Sequence, residues 1–201
     1  MLTLRSNSVG FKEWLMVCDA LGAGRQSVII RKGGIAEGRG GFQWQRESFI
    51  LFPTHFHQQR DQVTWTPSPE AEADLLRPET AVIRFAARLI WSGLLTEWEE
   101  AARLAPHHVW KEEVVRERFG YGGETGVRVA VVRVFRFAQP LELAVEKRFG
   151  GCRSWVDLPE SDGLEMRPVM DDAAHAERMR ALETCLPAAA GQLVNSPVSQ
   201  S

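Results

Sequence analysis

Val127-Arg128-Val129-Ala130-Val131-Val132-Arg133-Val134-Phe135-Arg136-Phe137 is the stretch on which the fold of this chain turns. In an extended strand Val127, Val129, Val131, Phe135 and Phe137 share one face, and Val132 and Val134 lie on the other. A strand that is apolar on both faces belongs in the interior of a sheet. Outward from it, short β-branched or aromatic runs predict further strands over residues 27–30, 42–44, 48–52, 141–145 and 154–158. Ile83, Phe85, Ala87 and Leu89 alternate with Arg84 and Arg88, which favours another strand, although Ala and Arg equally suit a helix.

Helical spacing recurs over residues 11–21, with Gly22 as a stop. Thr96-Glu97-Trp98-Glu99 matches a capping box, and the helix it opens is ended by Pro106. Two more helices are predicted, over residues 110–119 before a Gly-rich turn and over 172–186. Strands and helices mix without a βαβ rhythm. The expected class is α+β, with a mostly antiparallel, barrel-like sheet and short flanking helices. Residues 1–187 are expected to form one domain, with a subdomain boundary in the Pro-bearing connection 61–79. The Ala-, Ser- and Gln-rich residues 188–201 are expected to be a disordered tail.

The bulk chemistry excludes several classes. A formal net charge of −2 rules out a whole-molecule basic field, so any nucleic-acid surface must be a local patch. Three widely spaced cysteines, Cys18, Cys152 and Cys185, form no CxxC pair and fit reduced thiols. Residues 1–10 carry no apolar run, so no secretory leader is expected, and no stretch is apolar enough to span a bilayer. The cytoplasm is the expected compartment, with no membrane partner.

Candidate sites are few. Arg31-Lys32-Gly33-Gly34 follows a strand, with Arg39 and Arg46 nearby. Glycines let backbone N–H groups face an anion while Arg and Lys bind phosphate; the plainer reading is a tight turn with solvated charges. Trp44 and Trp110 are the two of seven tryptophans with polar neighbours and are candidates for base stacking, against core packing. His55 and His57 would point the same way on an extended segment, but no ligand set around them matches a zinc spacing, so no metal and no cofactor are expected. No nucleophile elbow, Walker or dinucleotide motif is present.

Several ordered motifs carry a resemblance. They are Lys12-Glu13-Trp14, Arg31-Lys32-Gly33-Gly34-Ile35, Phe52-Pro53-Thr54 with His57-Gln58, and His108-Val109-Trp110 with Arg118-Phe119. Arg133-Val134-Phe135 and Gly151-Cys152 with Ser154-Trp155-Val156 complete the series. Together they resemble the bacterial family catalogued as domain of unknown function 1802, and the second half is loosely similar to PUA-type barrels. The resemblance implies a link to restriction–modification, with a separate nuclease as partner. Residues 31–34, 54–58 and 151–155 are expected to meet in one polar cleft lined by Thr54, His57, Gln58, Arg118, Cys152, Ser154 and Trp155.

Three functions are weighed. A non-catalytic nucleic-acid or nucleotide binder would use Arg31, Lys32, Gly33, Gly34 and Arg46 for phosphate and Trp44 and Trp110 for bases. A metal-dependent phosphoesterase or nuclease would use Glu13, Glu47 and His57. A structural interaction module needs neither set. The first is the favoured reading.

Overall fold

The computed structural model of the chain describes residues 2–3, 9–31, 44, 46–121, 125–151, 153–159, 163–187 and 191–193. The strands are β1 (Leu2–Thr3), β2 (Val9–Trp14), β3 (Val28–Arg31), β4 (Ser48–Thr54), β5 (Thr80–Leu95), β6 (Val127–Ala144), β7 (Trp155–Asp157), β8 (Glu165–Pro168) and β9 (Gly191–Leu193). The helices are α1 (Leu15–Gly22), α2 (Gln59–Gln62), α3 (Pro69–Leu75), α4 (Trp98–Arg103), α5 (Glu112–Gly120) and α6 (Asp172–Glu183). The class is α+β, and the strands join in one mostly antiparallel sheet with the path β1-β8-β6-β5-β4-β2-β7.

The long β5–β6 ribbon is its spine. Ala86 stands opposite Phe135 and Ala87 opposite Val134, so both faces of the ribbon carry apolar side chains. One edge of β6 takes β3 and then β8, while the free edge of β5 takes β4 and, further along, β9. The strand expected over residues 141–145 is the far end of β6 itself. Between them, residues 137–140 of β6 stand opposite Arg84 alone, and this bulge holds Pro140, which has no ladder N–H to give. The uncertainty at residues 83–89 resolves as strand, because β6 offers a full-length antiparallel partner.

The helix expected over residues 11–21 is corrected at its start. Val9–Trp14 is a strand, parallel to β4 and antiparallel to β7, and helix begins only at Leu15. Helical spacing from Leu15 onward masked the strand ahead of it. Gly22 is the last helical residue and not the stop. A Cβ there would lie 2.0 Å from the Phe85 ring, so glycine is what lets α1 close on β5. The stop is Gly24, at φ +67°, where Arg25 N–H donates to Ala20 O and Gly24 N–H to Leu21 O.

The connection 61–79 also contains a helix. Ser68 caps α3 by accepting from Ala71 N–H, and Asp19 of α1 accepts from Trp65 Nε1, Ser68 N–H and Ser68 Oγ. The capping box at Thr96 is not formed: the N-cap is Glu97, with no side-chain cap. Within 188–201, Gly191–Leu193 run antiparallel to Trp91–Gly93. Among the described residues no helix is long and apolar enough to cross a membrane.

Candidate functional site

The polar segments singled out in the sequence gather around four residues of β2 that sequence reasoning had placed in a helix: Phe11, Lys12, Glu13 and Trp14. Lys12 N–H donates to Ser154 O, and its Nζ donates to Gly151 O at 2.6 Å and to Phe149 O at 3.2 Å. Thr54 Oγ1, at the end of β4, donates to Glu13 O at 3.0 Å. Arg31, at the end of β3, donates to Lys12 O and lies 3.7 Å from the Glu13 carboxylate. Arg31, Thr54 and the carbonyls of Phe149, Gly151 and Ser154 thus reach the same strand from three segments.

Glu13 is wholly buried. One of its oxygens accepts from Trp14 N–H at 2.8 Å, where the strand turns into α1. Its Oε2 has no hydrogen-bond partner among the described residues, nor has Arg31 Nε. An under-satisfied carboxylate–guanidinium pair inside a protein is costly and calls for a reason. The pKa of the adjoining Cys18 thiol is held well above the usual range, mainly by burial and then by Glu13.

Aromatic rings surround the pair. The guanidinium of Arg31 sits 4.7 Å from the centre of the Phe11 ring. Phe11 and Phe49 are buried, and Phe11 contacts the half-buried Trp44 and Trp155, each at 5.0 Å. Trp44 and Trp155 meet edge to face at 6.2 Å. These two indoles form the outer layer of a wall whose inner layer is core. On the other flank Trp14 stacks on Phe56 and meets Trp110 edge-on.

Trp110 is corrected as a base-stacking candidate. It is 3% exposed, and the Arg118 guanidinium already lies over its ring at 3.7 Å. Arg118 also donates to Ile30 O at 3.1 Å, which ties α5 to β3. Burial lowers its pKa to about 10, Glu13 opposing and Arg31 reinforcing the shift, so it stays charged at neutral pH. Trp14 and Trp98 are partly buried against the core, and Trp91 is buried within it.

Arg31, Thr54, Ser154 and Trp155 therefore come together on β2, with Trp44 beside them and Arg118 one step removed. His57, Gln58 and Arg46 face solvent. Lys32, Gly33, Gly34, Arg39 and Cys152, and the expected strand at Phe42, lie outside the described residues. The metal set fails on geometry: Glu13 is inside and His57 outside. Among the described residues no three His, Cys, Asp or Glu side chains gather to hold a metal ion. The sequence offers Glu13 as a metal ligand and, more simply, as part of the polar face of a first helix; the structure instead buries it on β2 beside Arg31.

The sequence matches, over residues 10–181, the family described as a domain of unknown function, DUF1802. The chain belongs to that family. No curated protein matches it. Among solved structures it is similar to the crystal structure of ASCH from Zymomonas mobilis, at 13% identity and a TM-score of 0.43. That match covers 89% of this chain and 94% of the other; at such a score it carries no argument about function.

Proposed function

We propose that the protein is a non-catalytic nucleic-acid-binding module that captures an unstacked base on the Trp44–Trp155 wall and a neighbouring phosphate with Arg31 and Arg46. The observation that carries the reading is the wall itself: two half-buried indoles mounted on the buried Phe11 and Phe49, with the Arg31 guanidinium fixed beside them. Rigid indoles present a π-face that any base can use, and stacking contributes about 1–3 kcal/mol per base. Glu13 and Lys12 O hold Arg31 in place before a ligand arrives, which reduces the ordering cost of binding. Lys32, Gly33 and Gly34 belong to the same proposal as the continuation of Arg31. In the restriction–modification setting that the family resemblance implies, catalysis belongs to a separate nuclease chain.

Fluorescence anisotropy with labelled single-stranded RNA and DNA over a series of salt concentrations tests the reading. Trp155→Ala should weaken binding by about 1–3 kcal/mol with little change in salt slope. Arg46→Ala should instead flatten the log–log slope by about 0.7 for a single strand, since one phosphate contact is lost. Absence of binding to either polymer at low salt, modified bases included, removes the proposal.

A further inference from the structure

Away from β2, a second cationic feature crosses the sheet. Arg88 of β5 stands directly opposite Arg133 of β6, and Ser48 of β4 stands opposite Arg88 on its other side. The three form one row across three strands, on the face shared with Ala86 and Phe135. Phe85, Ala87 and Val134 alternate onto the face of the main core. Like charges in directly opposed positions destabilise a sheet, so this pairing needs an explanation.

Both guanidinium groups lie beside the same aromatic ring. Their carbons lie 6.0 Å and 5.9 Å from the centre of the same Phe135 ring. Countercharge is sparse among the described residues. Arg133 pairs with Asp172 at the start of α6, whose side chain is 91% exposed, and Arg133 Nε is buried with no hydrogen-bond partner among the described residues. The neighbouring arginines are matched by α3: Arg84 by Asp74 and Arg136 by Glu70. Among the described residues no ion pair engages Arg88. The imidazole of His175, on α6, is lowered by burial first and then by Arg133 and Arg88, which places it in the same positive field.

We propose that Ser48, Arg88 and Arg133 form a phosphate-binding site. Two forked guanidinium groups and a hydroxyl in a row offer several donors to a tetrahedral oxyanion, and the anion relieves the repulsion between opposed arginines. Asp172 acts as an internal competitor, occupying Arg133 when phosphate is absent. The phosphate comes from one of two sources, a nucleic-acid backbone or a free phosphate group. The site does not depend on the Trp44–Trp155 wall.

The test uses the full chain, with calorimetric titration of inorganic phosphate and, separately, of a single-stranded oligonucleotide. Circular dichroism of each variant checks folding. Arg88→Gln should weaken phosphate binding about tenfold, the loss expected when hydrogen bonds to a charged group are removed. Asp172→Asn, a change at an exposed position, should tighten it by about two- to fivefold. If Arg88→Gln also weakens the oligonucleotide while Trp155→Ala does so independently, the ligand is a backbone phosphate. If the oligonucleotide is untouched and phosphate alone is lost, the site takes free phosphate. Binding of both ligands that is indifferent to Arg88→Gln and to Asp172→Asn, or no binding of either, overturns the site whatever the fate of the aromatic wall.

Discussion

The β5–β6 ribbon and the β2 strand are both deeply buried, and they achieve it by opposite means. In the ribbon, Ala81, Ile83, Ala86, Val129, Ala130 and Val132 are buried side chains with no polar atoms to satisfy. In β2, Glu13 is equally buried yet carries a carboxyl group that needs partners, and its neighbour Lys12 commits its ammonium group to the carbonyls of Phe149 and Gly151. Apolar burial asks only for matching volume, so a faulty residue there leaves a cavity. Polar burial asks for named partners, so a faulty residue there leaves the partner stranded. The contrast separates apolar burial, which supplies stability along the ribbon, from polar burial, which builds the site on β2.

The sharpest way to break that contrast is a swap at Glu13. Glu13→Leu keeps the side-chain bulk, yet it removes the acceptor of Trp14 N–H and the countercharge of Arg31. It should cost about 3–4 kcal/mol in urea unfolding. Ile83→Ala, in the ribbon, removes volume and strands nothing, and should cost about 3 kcal/mol. A Glu13→Leu protein as stable as the wild type would show that β2 is ordinary apolar packing. The Arg31 site would then lose its support.

A second test concerns acid. Buried His108 accepts from Trp110 N–H at 3.1 Å, and burial lowers its pKa to about 4. Below its ordinary pKa the unfolded chain takes up a proton that the folded chain refuses until about pH 4. Stability is therefore full at neutral pH and falls as pH falls through that window. Going from pH 7 to pH 5 should remove about 2 kcal/mol, and His108→Gln should flatten the dependence. His55, His107 and His175 are lowered as well, mainly by burial, and add in the same direction. A profile that is level between these pH values, or one that rises toward acid, contradicts the burial of His108.

The smallest effect is expected where α1 closes on the ribbon. Gly22→Ala puts a methyl group against the Phe85 ring and should cost about 1–2 kcal/mol, visible as a lowered Tm. Phe85→Leu in the same chain should recover part of that loss by making room. If Gly22→Ala raises Tm through its better helix propensity, the close approach of α1 to β5 is looser than the geometry indicates.

What the sequence determined by itself was the part written in local alternation. Residues 127–137 announced a central strand because each side chain's face follows from its own position, and β3 and β4 followed from short β-branched runs. The α+β class and the antiparallel sheet follow from those elements. Tertiary structure alone decided the start of the chain and the site. Residues 9–14 became a strand because β4 and β7 flank them. Met16 N–H, at the first turn of α1, is capped by the side chain of Gln59, far off in sequence. Glu13 faces inward because Arg31 and Thr54 arrive there from separate elements, and Trp110 is core because Arg118 covers its ring. A periodic pattern is a property of neighbours along the chain, whereas the partner of a buried charge is chosen by whichever distant segment the fold brings within reach.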